Sequence, residues 1–245
     1  MNIERSIIIP AYAEARFIAG TLQKLHDYLR DIGWLDSTEI VVVTADANDD
    51  TQEITASKVR IFPHHQHIQP GPRVGKGRDV KAGLSVAKGK LTLFMDADLA
   101  TPLAHVRQAF EVLEESGGMV IGVRHLHEMH KTFTRRLSSR LSNTIIRAMI
   151  GWSITDSQCG FKGFDHETLV TILERSTVTG WGFDFEFIKI AKLHKKHIIT
   201  LDVPDWHDPK PEGTGLSGDS QLEAMKQTFN ELMQVKMKQL RGEYK

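Results

Sequence analysis

The sequence contains very little cysteine and no long apolar run. Cys159 is the single cysteine among 245 residues, so an internal disulfide is excluded. No apolar run approaches the roughly 20 residues that a helix needs to cross a bilayer, and no signal peptide precedes the first strand-like run. These absences predict a protein of the reducing cytoplasm whose contact with a membrane, where one exists, is peripheral.

Neither positively nor negatively charged residues are in excess. The chain has 31 Lys and Arg residues against 31 Asp and Glu residues. This balance argues against a surface built for nucleic acid, so we expect no nucleic-acid partner. With 40% hydrophobic and 25% charged residues, the chain is long enough for one sizeable α/β domain.

Strand-like and helix-like segments alternate, which predicts an α/β fold with a mostly parallel central sheet covered on both faces. The predicted strands are 5–10, 40–43, 60–62, the run that begins at Leu91, 119–123 and 198–203. The predicted helices are 14–30, 75–88, one that begins at Pro102 with Thr101 as its N-cap, and 221–240. Residues 63–75 are rich in Pro, Gly and His and are predicted to form a loop.

The character of the chain changes after Arg124. We predict a nucleotide-binding half over 1–124, an acceptor half over 125–220 and a C-terminal amphipathic helix over 221–245. The segment 135–152 predicts a basic amphipathic helix, with Arg135, Arg136, Arg140 and Arg147. Two interpretations of this segment stay open: a solvated helix face, or contact with an anionic substrate or a membrane surface.

A pair of carboxylates ends the apolar run that begins at Leu91. Asp96 and Asp98 are separated by one residue, and in a strand they would face the same side and repel each other. A divalent ion such as Mg²⁺ or Mn²⁺ would absorb this charge, since such ions take a few carboxylate oxygens and leave positions for phosphate. The alternative is a turn that simply ends the strand and begins the helix at Pro102.

Further motifs lie near predicted strand ends and helix starts. The segment Pro10-Ala11-Tyr12-Ala13-Glu14 follows the first strand, at the edge where open α/β sheets bind ligands. Gly75-Lys76-Gly77 opens a helix and suits a phosphate. Neither a Walker A loop nor a GxGxxG motif is present, so neither an ATPase nor a Rossmann dehydrogenase is supported. The segments 156–162 and 180–186 set carboxylates among aromatic and glycine residues, which suits a sugar or a general base.

The order of these motifs resembles a known family. The chain carries, in series, Pro-Ala-Tyr-x-Glu, Gly-Lys-Gly, Asp-Ala-Asp, Gly-x-Arg at 122–124, Asp-x-Gln-Cys-Gly-Phe-Lys and Trp-x-Phe-Asp-x-Glu. This series is similar to the family 2 inverting glycosyltransferases, and most of all to the dolichyl-phosphate and polyprenyl-phosphate glucosyl- and mannosyltransferases. The resemblance covers roughly residues 5–206. It implies a single Rossmann-like nucleotide-diphospho-sugar transferase domain of GT-A fold.

The resemblance also implies roles on the donor side. Pro10, Ala11, Tyr12 and Glu14 would hold the base and ribose of a UDP- or GDP-hexose. Asp96 and Asp98 would hold the ribose and a Mg²⁺ or Mn²⁺ ion that bridges the diphosphate, with Asp98 as the preferred direct ligand. Lys76 would add a positive charge nearby.

On the other side of the transferred sugar, the resemblance implies contacts from Asp156, Gln158 and Lys162. Asp184 or Glu186 would orient the sugar or take a proton, and Arg124, with Arg135, Arg136 and Arg140, would pair with an acceptor phosphate. The implied reaction moves glucose or mannose to a polyprenyl or dolichyl phosphate. Transfer to a soluble sugar or small molecule, and nucleotide-sugar binding without catalysis, are the alternatives.

Three departures from the family pattern bear on the donor base and the acceptor. Relatives carry paired acids where this chain has Thr44 and Ala45, so Asp46, one position along, or Thr44 would contact the base. Arg73 stands where an Asn is usual. The segment 206–217 lacks the Gly-Ser-Lys of the usual acceptor loop.

Overall fold

A seven-stranded sheet organises the part of the chain that the computed structural model describes, which is residues 3–124, 156–207 and 218–245. Its strands are β1 (Arg5–Ala11), β2 (Thr38–Thr44), β3 (His64–Ile68), β4 (Leu91–Met95), β5 (Met119–Arg124), β6 (Phe161–Asp165) and β7 (Ile198–Val203). The order across the sheet is β3-β2-β1-β4-β6-β5-β7. Only β6 runs antiparallel to its neighbours, so the prediction of a mostly parallel sheet is confirmed.

Helices cover both faces of this sheet. They are α1 (Ala15–Asp31), α2 (Thr51–Lys58), α3 (Lys76–Leu84), α4 (Ala104–Ser116), α5 (His166–Arg175), α6 (Phe183–Leu193) and α7 (Gly218–Arg241). Successive side chains of a strand face opposite sides, and the core divides accordingly. Ile7 and Ile9 of β1 pack in one cluster with α1 and α4, and Ile8 packs in the other with α3 and α6.

The third strand was predicted in the wrong place. Residues 60–62 overlap a short 3-10 turn, Val59–Ile61, and the strand is His64–Ile68, inside the segment predicted to be a loop. Among the described residues this strand lies at the sheet edge and pairs only with β2. An edge strand is partly exposed, so its His and Gln residues give no continuous apolar signal.

The start of α4 also differs from the prediction. The helix begins at Ala104 with Leu103 as N-cap, so Thr101 is not its cap and Pro102 is not its first residue. The chain first makes a turn in which Leu99 adopts a left-handed conformation with φ +56°. The turn itself is formed by Ala97 and Asp98, and the helix begins only at Ala104.

The predicted basic helix over 135–152 lies outside the described residues, and so do Arg135, Arg136 and Arg140. The C-terminal helix was predicted correctly, within three residues at its start and one at its end. Among the helices in the described ranges, none has the length and apolar character needed to cross a bilayer.

Candidate active site

The loops that follow β1, β2 and β3 meet at the carboxyl edge of the parallel strands. Tyr12 follows β1, and the Arg73 guanidinium carbon lies 3.9 Å from the centre of its ring. Asp46 follows β2 and forms a bridge with Pro72, while the Gln52 side chain donates a 3.1 Å hydrogen bond to Asp46 Oδ1. The structure therefore brings the predicted base-binding segments together and adds Arg73 to them.

Asp46 and Thr44, the two alternatives for contact with the base, have different environments. Thr44 is fully buried and its hydroxyl lies 2.7 Å from His67 Nε2, within the sheet. Asp46 is exposed. Of the two side chains, Asp46 is therefore the one accessible to a ligand.

The loop after β1 is fixed to the start of α2. The Glu14 backbone N–H donates to Thr51 Oγ1 at 2.8 Å, and the Ala15 N–H donates to Asp49 Oδ2 at 3.2 Å. Partial burial opposes the charge of Asp49, but these hydrogen bonds hold its pKa below the usual value. Ala13, which directly precedes these two residues, has φ +55°. A positive φ is strained for a residue other than glycine, and it persists only where surrounding contacts impose it. The loop is therefore preformed.

Lys76 and Asp96 form the centre of the site. Lys76 Nζ lies 2.6 Å from Asp96 Oδ1. Burial opposes the charge of Lys76, but the pair with Asp96 outweighs it and raises the pKa of Lys76, with further contributions from Asp184 and Asp98. Four of the predicted site residues thus lie in one electrostatic cluster.

The glycines on either side of Lys76 serve close packing. A Cβ on Gly75 would lie 2.5 Å from the Thr179 carbonyl oxygen, and one on Gly77 would lie 2.7 Å from Phe183 Cβ. The Gly77 and Arg78 N–H groups donate to the carbonyls of Gly180 and Thr179. These contacts bind the start of α3 to the turn before α6, so Gly-Lys-Gly fixes Lys76 from two sides.

Asp96 and Asp98 lie just beyond the strand rather than in it, because β4 ends at Met95. The premise that they face the same side of a strand was therefore wrong. Asp98 Oδ1 accepts a 3.1 Å hydrogen bond from the Ala100 N–H, and the Asp96 N–H donates to the Gly160 carbonyl. A Cβ on Gly160 would lie 1.9 Å from Asp96 Oδ2, so only glycine leaves room for this carboxylate.

Asp96 and Asp98 suit a divalent ion that binds together with a diphosphate. The described residues contain no group of three or more His, Cys, Asp and Glu side chains that could hold a metal alone. Mg²⁺ is typically bound by one or two carboxylates plus substrate phosphates. Two partly exposed carboxylates beside a lysine therefore fit a metal whose remaining ligands come from the substrate.

A second charged pair lies beneath this cluster. Lys162 of β6 is fully buried, and its Nζ lies 2.5 Å from Asp184 Oδ1 and donates to the Cys159 carbonyl at 2.6 Å. Burial raises the pKa of Asp184, although the nearby positive charges of Lys162 and Lys76 act to lower it. A buried carboxylate of this kind needs its paired cation, so Lys162 fixes Asp184 in the first turn of α6.

Arg124 and Asp156 form a bidentate ion pair at the end of β5. Arg124 Nε lies 2.5 Å from Asp156 Oδ2, and Nη2 lies 2.8 Å from Oδ1. The Arg124 guanidinium carbon lies 5.1 Å from the centre of the Trp206 ring. The planar fork of arginine makes such pairs geometrically specific, so Arg124 is held in one orientation.

The segment after β7 contacts both helix α4 and the loop that carries Asp98. Asp205 Oδ1 lies 2.6 Å from His105 Nε2, and the His207 N–H donates to the Ala100 carbonyl at 3.2 Å. These two contacts hold the residues on either side of Trp206, whose ring lies beside Arg124.

Glu186 does not lie with the other predicted residues. It is fully buried and accepts hydrogen bonds from the Thr177 and Val178 N–H groups and from the hydroxyls of Thr177 and Tyr244. These hydrogen bonds link Tyr244 to the 177–178 segment and occupy both oxygens, so the position of Glu186 does not fit the predicted role as sugar ligand or base. Gln158 is exposed in the loop before β6. Burial raises the pKa of Cys159 to about 11, which excludes a thiolate nucleophile at neutral pH.

Sequence reasoning gave no role to several residues that shape this site. They are Arg73, Asp49, His105, Trp181, Trp206 and Glu231. Trp181, whose ring centre lies 5.9 Å from Lys76 Nζ, stands inside a quoted motif and could have been found. The others contact the site only through tertiary structure.

Comparison with known proteins identifies the class. The model of glycosyl transferase family 2 matches residues 6–173, and the chain belongs to this family. A dolichyl-phosphate beta-glucosyltransferase of Trichomonas vaginalis is 30% identical over 230 residues, which cover 89% of this chain and 70% of the relative. Another, from Dictyostelium discoideum, is 27% identical and covers 78% of this chain and 63% of the relative.

Solved structures share the fold. Glucosyl-3-phosphoglycerate synthase of Mycobacterium tuberculosis, crystallised with Mn²⁺, UDP and phosphoglyceric acid, matches with a TM-score of 0.68 at 17% identity, over 95% of this chain and 78% of that one. Mannosyl-3-phosphoglycerate synthase of Rubrobacter xylanophilus matches with a TM-score of 0.69 at 18% identity, over 98% and 75%. The predictions of a GT-A fold and of a glycosyltransferase are confirmed.

Proposed function

We propose that this glycosyltransferase moves a hexose, with inversion at C1, from a UDP- or GDP-sugar to a polyprenyl or dolichyl phosphate in a metal-dependent reaction. The observation that carries the proposal is the cluster of Lys76, Asp96, Asp98 and Asp184, where the start of α3, the loop after β4 and the first turn of α6 meet. The names of the relatives support a glucosyl donor and a dolichyl phosphate acceptor.

On the donor side, Tyr12, Arg73 and Asp46 would contact the base. Asp96 and Asp98 would hold Mg²⁺ or Mn²⁺, which as a Lewis acid would offset the charge that develops on the leaving diphosphate. Lys76 neutralises Asp96 and supplies a fixed positive charge beside the same phosphates.

On the acceptor side, Arg124 would orient the incoming phosphate, because Asp156 and Trp206 hold its guanidinium in place. The phosphate is already an anion, so its oxygen attacks C1 as the bond from C1 to the diphosphate breaks, and no general base is required. Asp184 is buried beside Lys162 and would hold the sugar rather than take a proton.

Contact with a membrane is supported by the outer face of α7. Phe229, Met233, Met237 and Leu240 are all exposed, and their spacing puts them on one side of the helix. Lys226 and Lys236 lie on this side too. On the adjoining helix α6, burial lowers the pKa of Lys189, and the charges of Lys236 and Lys192 act in the same direction. An apolar stripe flanked by lysines suits an anionic lipid surface.

We expect the protein to float with vesicles rich in anionic lipid more than with neutral vesicles. The double substitution Met233→Ser with Met237→Ser should reduce flotation several-fold, because it removes the centre of the apolar stripe. Val170→Ser, at an exposed apolar residue on α5, is the matched control and should float like wild type. Equal flotation of the α7 variant and the control would exclude α7 as the contact.

Transfer itself tests the proposed function. Purified protein with Mn²⁺ and radiolabelled UDP-glucose or GDP-mannose should form a labelled lipid with a polyprenyl phosphate in detergent. Label that appears instead on a soluble sugar or small phosphorylated acceptor would replace the lipid with the soluble alternative. Tight nucleotide-sugar binding without turnover on any acceptor would support a binding protein.

A further inference from the structure

We propose that Glu231, on the C-terminal helix α7, is a positioning residue for the donor site. Its carboxylate holds the 180–182 turn, which consists of Gly180, Trp181 and Gly182 and lies directly before α6. The proposal rests on the donor site described above, because its effect on the reaction passes through Lys76 and Asp184.

Glu231 reaches this turn from a separate helix. It is largely buried, and its Oε2 accepts a 2.6 Å hydrogen bond from the Gly182 N–H. The Gln227 side chain donates to Oε1 at 3.1 Å and orients the carboxylate. A Cβ on Gly180 would lie 1.8 Å from Glu231 Oε1, so the glycine is required by this close approach.

The contact replaces a missing helix cap. Gly182 is the N-cap of α6 and has no side chain to cap the helix. In a capping box, a Glu or Gln three residues on accepts from the N-cap N–H, but here that position is Phe185. Glu231 supplies the acceptor instead, and its negative charge is favourable at a helix N-terminus.

The turn is linked to the donor site in two ways, by a hydrogen bond to α3 and by its direct continuation into α6. The Gly180 carbonyl accepts from the Gly77 N–H, which fixes the start of α3 and therefore Lys76. The first turn of α6 carries Asp184, which pairs with Lys162. Glu231 thus fixes both cations of the site without touching either.

The packing of α7 depends on other residues. Leu232 and Val235 are each 2% exposed and pack in the core beside α6. A loss of packing and a loss of turn positioning can therefore be separated by neighbouring substitutions on one helix.

The test compares Glu231→Ala, Glu231→Gln and Leu232→Ala. Hydrogen exchange of the 75–79 and 179–183 amides needs no ligand, and we expect faster exchange there in Glu231→Ala but not in Leu232→Ala. The Kd for UDP or GDP with Mn²⁺, followed by tryptophan fluorescence, should rise about tenfold in Glu231→Ala, which corresponds to about 1.4 kcal/mol. Glu231→Gln should stay near wild type, because its amide oxygen can still accept from Gly182.

Three outcomes would overturn the positioning role: unchanged exchange in Glu231→Ala, the same exchange and Kd in Leu232→Ala, or no rescue by Glu231→Gln. If Glu231→Ala does not fold, Gln227→Ala is the second variant. It alters only an exposed side chain and should raise exchange at 179–183 by a smaller factor, and unchanged exchange would count against the proposal. Absence of transferase activity in wild type would overturn the proposed function and leave the exchange result valid.

Discussion

The substitution Asp98→Asn is expected to lower kcat by a factor of about 10² to 10⁴, the range that a lost metal contact worth several kcal/mol produces. Asparagine has nearly the same shape, and its amide oxygen can still accept from the Ala100 N–H, so the loop should keep its conformation. The loss therefore reports the missing charge. Initial rates of transfer at saturating donor and Mn²⁺ measure it.

Asp36→Asn is the control for this substitution, because Asp36 is exposed in the 3-10 turn Leu35–Ser37, before β2. It should leave kcat unchanged. Asp96→Asn should also lower the rate, and it should weaken donor binding as well, since Asp96 pairs with Lys76. Full activity in Asp98→Asn would remove Asp98 from the metal site.

The second large effect is expected at the buried pair of Lys162 and Asp184. Asp184→Asn leaves the Lys162 ammonium buried without its counter-charge, and such breaks cost about 3–5 kcal/mol. The same variant should lose activity, because Asp184 would hold the sugar. Urea unfolding measures the stability, and the transfer assay measures the activity.

The double variant Lys162→Met with Asp184→Leu separates the two roles. Apolar residues of similar volume often replace a buried ion pair without loss of stability, so this variant should unfold near the wild-type urea concentration and still be inactive. An active double variant would show that the pair serves only the fold. Wild-type stability in Asp184→Asn would show that the buried Lys162 ammonium does not depend on the negative charge of Asp184.

The sequence predicts this fold best where its strands are central. The strands β1, β2, β4 and β5 have continuous apolar runs because both faces of each are buried, and their positions were predicted within two residues. The strand β6 was not predicted, because Lys162 and Gly163 interrupt its apolar pattern. The burial of Lys162 depends on the opposite charge of Asp184 and on the Cys159 carbonyl, and the pairing with Asp184 is not visible in any local pattern.

The residues of the candidate site were likewise predicted where a local motif contains them, and were missed where only tertiary contacts bring them to the site. Lys76, Asp96 and Asp98 stand in short motifs next to predicted strand ends, so sequence order predicts their meeting. Glu231 stands in an ordinary amphipathic helix, and only the tertiary contact with Gly182 gives it a role. Glu186 is the opposite example. Its place in a motif predicted a role in the reaction, but in the structure its side chain accepts hydrogen bonds from Thr177 and Tyr244.

Binding of Mn²⁺ in the presence of UDP or GDP tests most directly whether Asp96 and Asp98 hold a metal and a diphosphate together. The electron paramagnetic resonance signal of free Mn²⁺ falls when the ion is bound. We expect wild-type protein with the nucleotide to reduce this signal beyond what either does alone, and Asp98→Asn to abolish the extra loss. An equal loss in wild type and Asp98→Asn, or none in wild type with either nucleotide, would contradict the assignment.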